Sequence, residues 1–376
     1  MKKITIIGAG IGGLTTAIAL KQKGFEVEIF ENTPAFSKAG SGINLAINAM
    51  QVFKRLNIYD DIFQNGNYIN TMNVRTKKLG FMARANLKKF ENKYQVKQVA
   101  MHRATLHDIL LKHLGPTEIY LNKKLKSLDQ TDGKINLAFE DGTNYTAEIV
   151  IGADGINSAV RQSVFDNTEL RDAGQVCWRG ISMAKIDDKH RKELNEIWGK
   201  GNRFGFVPIT KDEVYWFALI DKKAFKSRDI NLLDLFSGYH QTVSDIIMGT
   251  PKENILCNEI WDLKPIESWY KGNVCLLGDA GHATTPNMGQ GAVQAVESAL
   301  ALSICLKEES SVELAFSRFQ ALRKKKANHV TNTSWKIGKL AQTSNPVVVM
   351  LRDLAIKMTP SSVMDRQNKN VFELNY

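Results

Sequence analysis

Ile4-Thr5-Ile6-Ile7-Gly8-Ala9-Gly10-Ile11-Gly12-Gly13-Leu14, running on to Val27-Glu28-Ile29-Phe30-Glu31, decides the fold. Its β-branched residues predict a buried strand, and Gly8, Gly10 and Gly13 stand at G-x-G-x-x-G spacing before a helix-period segment. Gly8 permits a tight turn, Gly10 lets the backbone approach a pyrophosphate, and Gly13 lets the helix pack on the strand. The phosphates then meet a helix N-terminus, where free N–H groups and the macrodipole favour negative charge. Glu31 ends a second predicted strand, Glu26 to Phe30, at about 20 residues' remove, where an acid accepts hydrogen bonds from ribose hydroxyls. This is a dinucleotide site, with NAD and FAD both open at this point.

Composition sets outer bounds. The chain has 376 residues, 43% hydrophobic and 24% charged, which is ordinary for a globular protein with a sizeable core and two or three subdomains. The net charge of +11 draws anionic ligands, nucleic acid or a membrane surface. The cations are dispersed, except in Arg323-Lys324-Lys325-Lys326, which reads as the solvated face of a helix. No basic stripe or recognition-helix motif marks a nucleic-acid binder. Cys177, Cys257, Cys275 and Cys305 lack metal-like spacing and read as free thiols of a reducing compartment, and no metal site is expected. No apolar run reaches the length of a membrane span, and Met1 leads directly into the first strand without a cleavable signal. A cytoplasmic protein is the expectation.

After Glu31, Ala39-Gly40-Ser41-Gly42 forms a bend whose exposed backbone at Gly40 and Gly42 suits the edge of a flat ligand. Asn67 to Val99 suits strands of a second sheet, and His102 to Leu111 an amphipathic helix opening on Arg103. Short strands follow at Ile119 to Leu121, Lys124 to Gln130, Lys134 to Phe139 and Tyr145 to Ile151, the last ending in Gly152-Ala153-Asp154-Gly155. From Gly174 to Asp221 the strands become aromatic, which predicts an antiparallel sheet walling a pocket, with Phe206, Trp216 and Phe217 as candidates. Val274 to Leu277 returns to the first sheet, Gly278-Asp279 leaves it, and Gly289-Gln290-Gly291-Ala292 opens a helix. Beyond Ser311 the chain reads as helices. The stretch Val347 to Ile356 is amphipathic, which suits packing on the body or contact with a membrane, and packing on the body is the expectation.

Two strand ends, Asp154-Gly155 and Gly278-Asp279, can converge with the N-terminal finger at the C-terminal edge of one sheet. A long cofactor needs contacts spread in this way. Asp279 suits the ribityl hydroxyls of a flavin, and the N–H groups of Gly289, Gln290 and Gly291 suit the negative charge that a flavin develops on reduction. Gly8 to Gly13, Ile151 to Gly155 and Leu277 to Gly291 together closely resemble the single-component FAD-dependent aromatic hydroxylases, a group that includes salicylate hydroxylase, 3-hydroxybenzoate 6-hydroxylase, urate hydroxylase and zeaxanthin epoxidase-like proteins. The resemblance runs in order from about Lys2 to Lys326.

The resemblance implies an α/β fold: a Rossmann-like FAD-binding domain, an inserted antiparallel β-sheet substrate domain and C-terminal helices. It divides the chain into residues 1–66, 100–173 and 271–320 for FAD, 67–99 and 174–270 for substrate, and 321–376 for the helices. It implies FAD held non-covalently by Gly8, Gly10, Gly12, Gly13, Glu31, Gly42, Arg103, Asp154, Asp279, Gly289, Gln290, Gly291 and Ala292. NAD(P)H would visit as a transient co-substrate, and O2 would add to the flavin as a C4a-hydroperoxide that hydroxylates a small, anionic aromatic or heteroaromatic compound. Pro286 matches a proline beside the isoalloxazine. Arg203 and Tyr215 match substrate-proximal residues, although a four-residue loop over Thr210 to Glu213 would put them on opposite faces. His282 is a further candidate base. The alternatives are an antibiotic-modifying monooxygenase of the tetracycline-inactivating kind, a prenyl-chain reductase, and a flavin-binding regulator. A monomer or homodimer is expected.

Overall fold

The β-branched opening run becomes the middle of a six-stranded sheet in the computed structural model, which describes residues 3–36, 41–166, 168–228 and 230–376. The strand order is Tyr270–Lys271, Val274–Leu276, Ile149–Gly152, Lys3–Ile7, Glu26–Phe30, Glu118–Tyr120. All neighbours run parallel except the Tyr270–Lys271 edge. Ile4, Ile6, Ile29, Val150 and Ile151 are buried, as continuous apolar runs covered on both faces must be. Helices Ile11–Gln22 and Gly291–Glu308 pack together on this sheet, closely enough that a methyl group on Gly12 would lie 3.1 Å from Cβ of Ala295.

The stretch Tyr145 to Ile151, expected as one strand, divides at Glu148. Asn144–Ala147 closes a three-stranded antiparallel meander with Lys134–Phe139 and Leu125–Thr131, while Ile149–Gly152 enters the parallel sheet. Asn273 enforces the break, its Nδ2 donating to the Glu148 carbonyl (3.0 Å) and its carbonyl accepting from the Val150 N–H (3.0 Å).

A seven-stranded sheet is ordered Leu256–Leu263, Leu170–Ser182, Val214–Asp221, Asn202–Pro208, Glu193–Trp198, Thr71–Arg75, Phe81–Asn86. One face holds Trp178, Phe204, Phe206 and Trp216 in a core with helix Gln241–Met248. The other carries Cys177, Arg179, Arg203, Tyr215 and Phe217, by the alternation of side chains along paired strands. Between the two large sheets lies a small one, Gly42–Leu45, Gln98–His102 and Asn67–Ile69.

Helix Val312–Ala341 alters the reading of the basic run. Arg323 is 1% exposed and Lys326 points inward, both pairing with the fully buried Glu297 at 2.6 and 2.9 Å. Glu297 also accepts from Asn48 and Gln294, and Arg323 donates to Gln294 (2.6 Å) and Ser298 (3.4 Å). Ser298 in turn meets His282 Nε2 at 3.1 Å. Half of the run is therefore a buried ion cluster, a pattern that charge composition alone does not distinguish from a solvated face. A buried pair is weak evidence of net stabilisation, but removing one member strands the other. Glu297→Ala is expected to cost about 3–5 kcal/mol, read as a lower midpoint in denaturant titration.

Burial lowers the His282 pKa to about 3, with the Arg323 charge adding to the effect. The folded chain holds His282 neutral where the unfolded chain, with pKa near 6.5, takes up a proton. Its contribution to stability is therefore present above pH ~6.5 and is lost as pH falls toward 3, by about 1.4 kcal/mol per unit. In His282→Gln, the loss of stability between pH 6.5 and 5 is expected to be shallower by about that slope, measured by denaturant titration at each pH.

Candidate active site

The finger is built from close backbone contacts. Gly8 has a φ of 107°, and a methyl group there would sit 2.4 Å from the Ala153 carbonyl oxygen. A methyl group on Gly13 would sit 1.9 Å from the Gly8 carbonyl oxygen. Gly10 is different: it caps helix Ile11–Gln22 without any side-chain hydrogen bond, and a methyl group there would meet nothing within 4 Å. The helix N-terminus therefore presents its N–H groups to a ligand, as a pyrophosphate requires. Gly12 has another use, the packing of its helix on Ala295. Glu31 is held by the N–H groups of Ala9 (2.6 Å) and Thr33 (3.0 Å), which fixes its carboxylate at the lip of the finger. His107, which the sequence reading passed over, lies 2.8 Å through Nε2 from the Ala9 carbonyl.

The two distant strand ends do reach this edge. Asp154, however, turns both carboxylate oxygens on its own loop, accepting from the Ser158 hydroxyl (2.6 Å) and the Val160 N–H (3.1 Å). What it lends the finger is backbone, since Ala153 and Asp154 are what Gly8 packs against. Asp279 is the reverse case. It follows Gly278 (φ 63°), and its carboxylate makes no hydrogen bond with any described residue and is open to solvent. Desolvation raises its pKa, and the Arg103 charge opposes the rise. The Arg103 N–H donates to the Ser41 carbonyl (3.0 Å). Gly40 lies outside the described residues.

Gly289 (φ 61°) closes the short turn Pro286–Met288, its N–H donating to the Pro286 carbonyl at 2.9 Å. Helix Gly291–Glu308 then starts without a side-chain cap, with Ala292 in its first turn. Gln290 directs its amide oxygen inward, accepting from Asn48 (3.0 Å) and Gln294 (3.2 Å), so only its backbone can serve a ligand. Below it, His282 is 4% exposed and bound through Ser298 to the cluster around Glu297, which gives it a structural place.

The hairpin settles the relation of Arg203 to Tyr215. Strands Asn202–Pro208 and Val214–Asp221 pair regularly, with Pro208 opposite Val214, so the loop is the five residues 209–213. That is one longer than expected, and it places Arg203 and Tyr215 on the same face without a bulge. They stand opposite Leu219 and Val207 respectively, about 13 Å apart along the sheet. Phe217 lies between them over Gly205, while Phe206 and Trp216 face the opposite core. Tyr215 lies so flat on Gly42 that a methyl group there would overlap its ring, at 2.3 Å from Cγ.

Arg203 is 1% exposed and already committed: it pairs with Glu196 (2.8 Å) and donates to the side-chain oxygen of Asn287. Asn287 in turn donates to Thr285 and to the Ser334 carbonyl, each at 2.9 Å. Arg203 thus ties the turn after Pro286 to the seven-stranded sheet. The cation without a carboxylate partner on this face is Arg179, which donates to Asn258 (2.7 Å) and whose buried Nε lacks a partner among the described residues. Burial raises the Tyr215 pKa and keeps the phenol protonated, with Arg179 and Arg103 opposing the shift. Asn287, Glu196 and Arg179 were missed from sequence. Asn287 lay inside the quoted motif, and Arg179 and Glu196 were charges alternating within strands.

Residues 1–331 match the FAD binding domain family. The aurachin C monooxygenase/isomerase of Stigmatella aurantiaca is 33% identical over 376 residues, covering 97% of this chain and 96% of its own length. The 2-heptyl-3-hydroxy-4(1H)-quinolone synthase of Pseudomonas aeruginosa is 28% identical over 389 residues, covering 98% and 97%. The fold is that of Klebsiella pneumoniae HpxO, solved with FAD and uric acid, at a TM-score of 0.90 and 24% identity over 99% of this chain and 96% of that one. The chain thus belongs to the FAD binding domain family, as an FAD-dependent monooxygenase of the aromatic and heteroaromatic hydroxylase group.

Proposed function

We propose that the protein inserts one oxygen atom into an oxygen-bearing nitrogen heteroaromatic ring of the quinolone class, using NAD(P)H and O2. The observation that carries this reading is the face bearing Arg179, Tyr215 and Phe217, turned toward the Pro286–Met288 segment through the Arg203–Asn287 contact. The relative named as a quinolone synthase supports the ring class. Glu31 suits the adenosine ribose, the N-terminus of Ile11–Gln22 the pyrophosphate, Asp279 the ribityl chain, and the N–H groups of Gln290 and Gly291 the flavin ring. When bound, FAD carries two electrons from NAD(P)H to O2, so that one oxygen atom enters the ring and the other leaves as water.

The chain's own residues then have distinct tasks. The Tyr215 phenol, held protonated, donates to the substrate's ring oxygen. Arg179 favours the deprotonated, electron-rich form of the ring, and Phe217 offers it an apolar surface. Arg203 positions the segment that carries Pro286, and its charge, shared with Glu196, is not free for an anion. The surrounding core, Leu219 and Val207 included, excludes water from the reacting ring.

The test is a panel of 4-quinolones, hydroxypyridines, purines and simple phenols, scored by stimulated NAD(P)H oxidation and by isotope-labelled oxygen in the product. A 4-quinolone is expected to gain one labelled atom. Incorporation into phenols alone would overturn the ring class. Arg179→Met is expected to raise KM by about tenfold, the loss of one charge-assisted hydrogen bond. Arg203→Gln is expected to lower kcat by about 100-fold while flavin content is retained, because it displaces the reacting segment without touching the nucleotide anchor.

A further inference from the structure

Helix Pro346–Met358 turns its charge inward and its apolar side chains outward. Arg352 is buried, reaching the carbonyls of Ala341 (3.2 Å) and Gly199 (3.1 Å), pairing with Asp353 and lying over the Trp198 ring. Val347, Met350, Leu351, Leu354 and Met358, at helical spacing on the other side, are 61, 63, 56, 53 and 71% exposed. The expectation that this stretch buries its apolar stripe against the body is therefore corrected, because the buried guanidinium fixes the helix the other way round. Leu340 before it and Val363 after it are exposed as well.

The unpaired side-chain charge on this helix, on the last turns of the helix before it and on the helix after it is positive. Asp353, Asp365 and Glu373 are paired with Arg352, Lys89 and Lys93. Among the described residues, no carboxylate lies within ion-pair distance of Lys336, Lys339, Lys357, Arg366 or Lys369, on this helix and those flanking it. We propose that Pro346–Met358 is an interfacial helix that seats the enzyme on an anionic lipid surface. No helix among the described residues is long and apolar enough to cross a membrane, so the contact is lateral. A second copy suits the face poorly. Two such faces would bring like charges together, and a helix of 13 residues, about 20 Å long and about 10 Å wide, falls well short of the ~800 Å² per partner of a stable dimer. A cavity of about 650 Å³, lined in part by Gln175, Lys222, Lys223 and Lys339, also reaches Ser344 and Asn345 at the N-terminal end of this helix.

The test uses flavin-loaded enzyme and phosphatidylcholine vesicles with and without phosphatidylglycerol. Co-sedimentation is expected to be about tenfold greater with the anionic lipid, to fall several-fold in high salt, and to drop about tenfold in Leu351→Asp/Leu354→Asp. That double variant changes exposed residues far from the flavin, so its flavin content and its turnover of a water-soluble substrate are expected to match the parent. Equal recovery with and without anionic lipid would overturn the proposal. So would light scattering that shows a dimer split by the double substitution. Neither outcome bears on oxygen insertion, which the substrate panel tests separately.

Discussion

Three backbones meet at the C-terminal edge of the parallel sheet with less than a methyl group between them. The Gly8 turn lies on the Ala153 carbonyl, and the first helical turn at Gly13 lies on the Gly8 carbonyl. This contact brings the N-terminus of helix Ile11–Gln22 to the strand ends. Asp154, by spending its carboxylate on Ser158 and Val160, keeps the neighbouring loop from moving away. Such a site is strongly preorganised, because its polar groups are oriented before a ligand arrives.

The other end of the site depends on a longer chain of contacts. Arg203 reaches Asn287, Asn287 reaches Ser334, and the Glu297 cluster ties Arg323 and Lys326 of the same long helix to Gln290 through Gln294 and Asn48. The turn that bears Pro286 is thus held on one side by Arg203 of the seven-stranded sheet and on the other by helix Val312–Ala341. Arg323 and Lys326 of that helix also brace the residues just beyond the turn, through Glu297 and Gln294.

What could be read from the sequence follows from how local each cause is. The Gly8–Gly13 finger, Glu31 and the parallel strands announce themselves by spacing and by β-branched runs, because turn and strand preferences act over a few residues. The break at Glu148 was invisible, since the residue that enforces it, Asn273, is distant in sequence. The sidedness of Arg203 and Tyr215 hung on a single residue of loop length, which period-two patterns leave undetermined. Arg323 and Lys326 looked like solvent-facing charges because their partner, Glu297, sits in another helix. The C-terminal stripe was seen as amphipathic, but its direction was set by Arg352 and the carbonyl oxygens it finds. Motifs alone do not show that the Asp154 carboxylate turns on its own loop, that Gly12 packs on Ala295 or that the Gln290 amide oxygen meets Asn48, since those partners are set by the tertiary fold.

The stacking of Tyr215 on Gly42 has a consequence for how such enzymes diverge. Gly42 belongs to the small sheet that runs into the Arg103 helix, whereas Tyr215 belongs to the seven-stranded sheet. The ring can occupy its place only because the opposing strand lacks a side chain there. A graft that moves the seven-stranded sheet from one relative to another must therefore carry the Gly42–Leu45 strand with it, or accept a collision at the ring. The two are a matched pair of surfaces, and exchange of one alone breaks the fit.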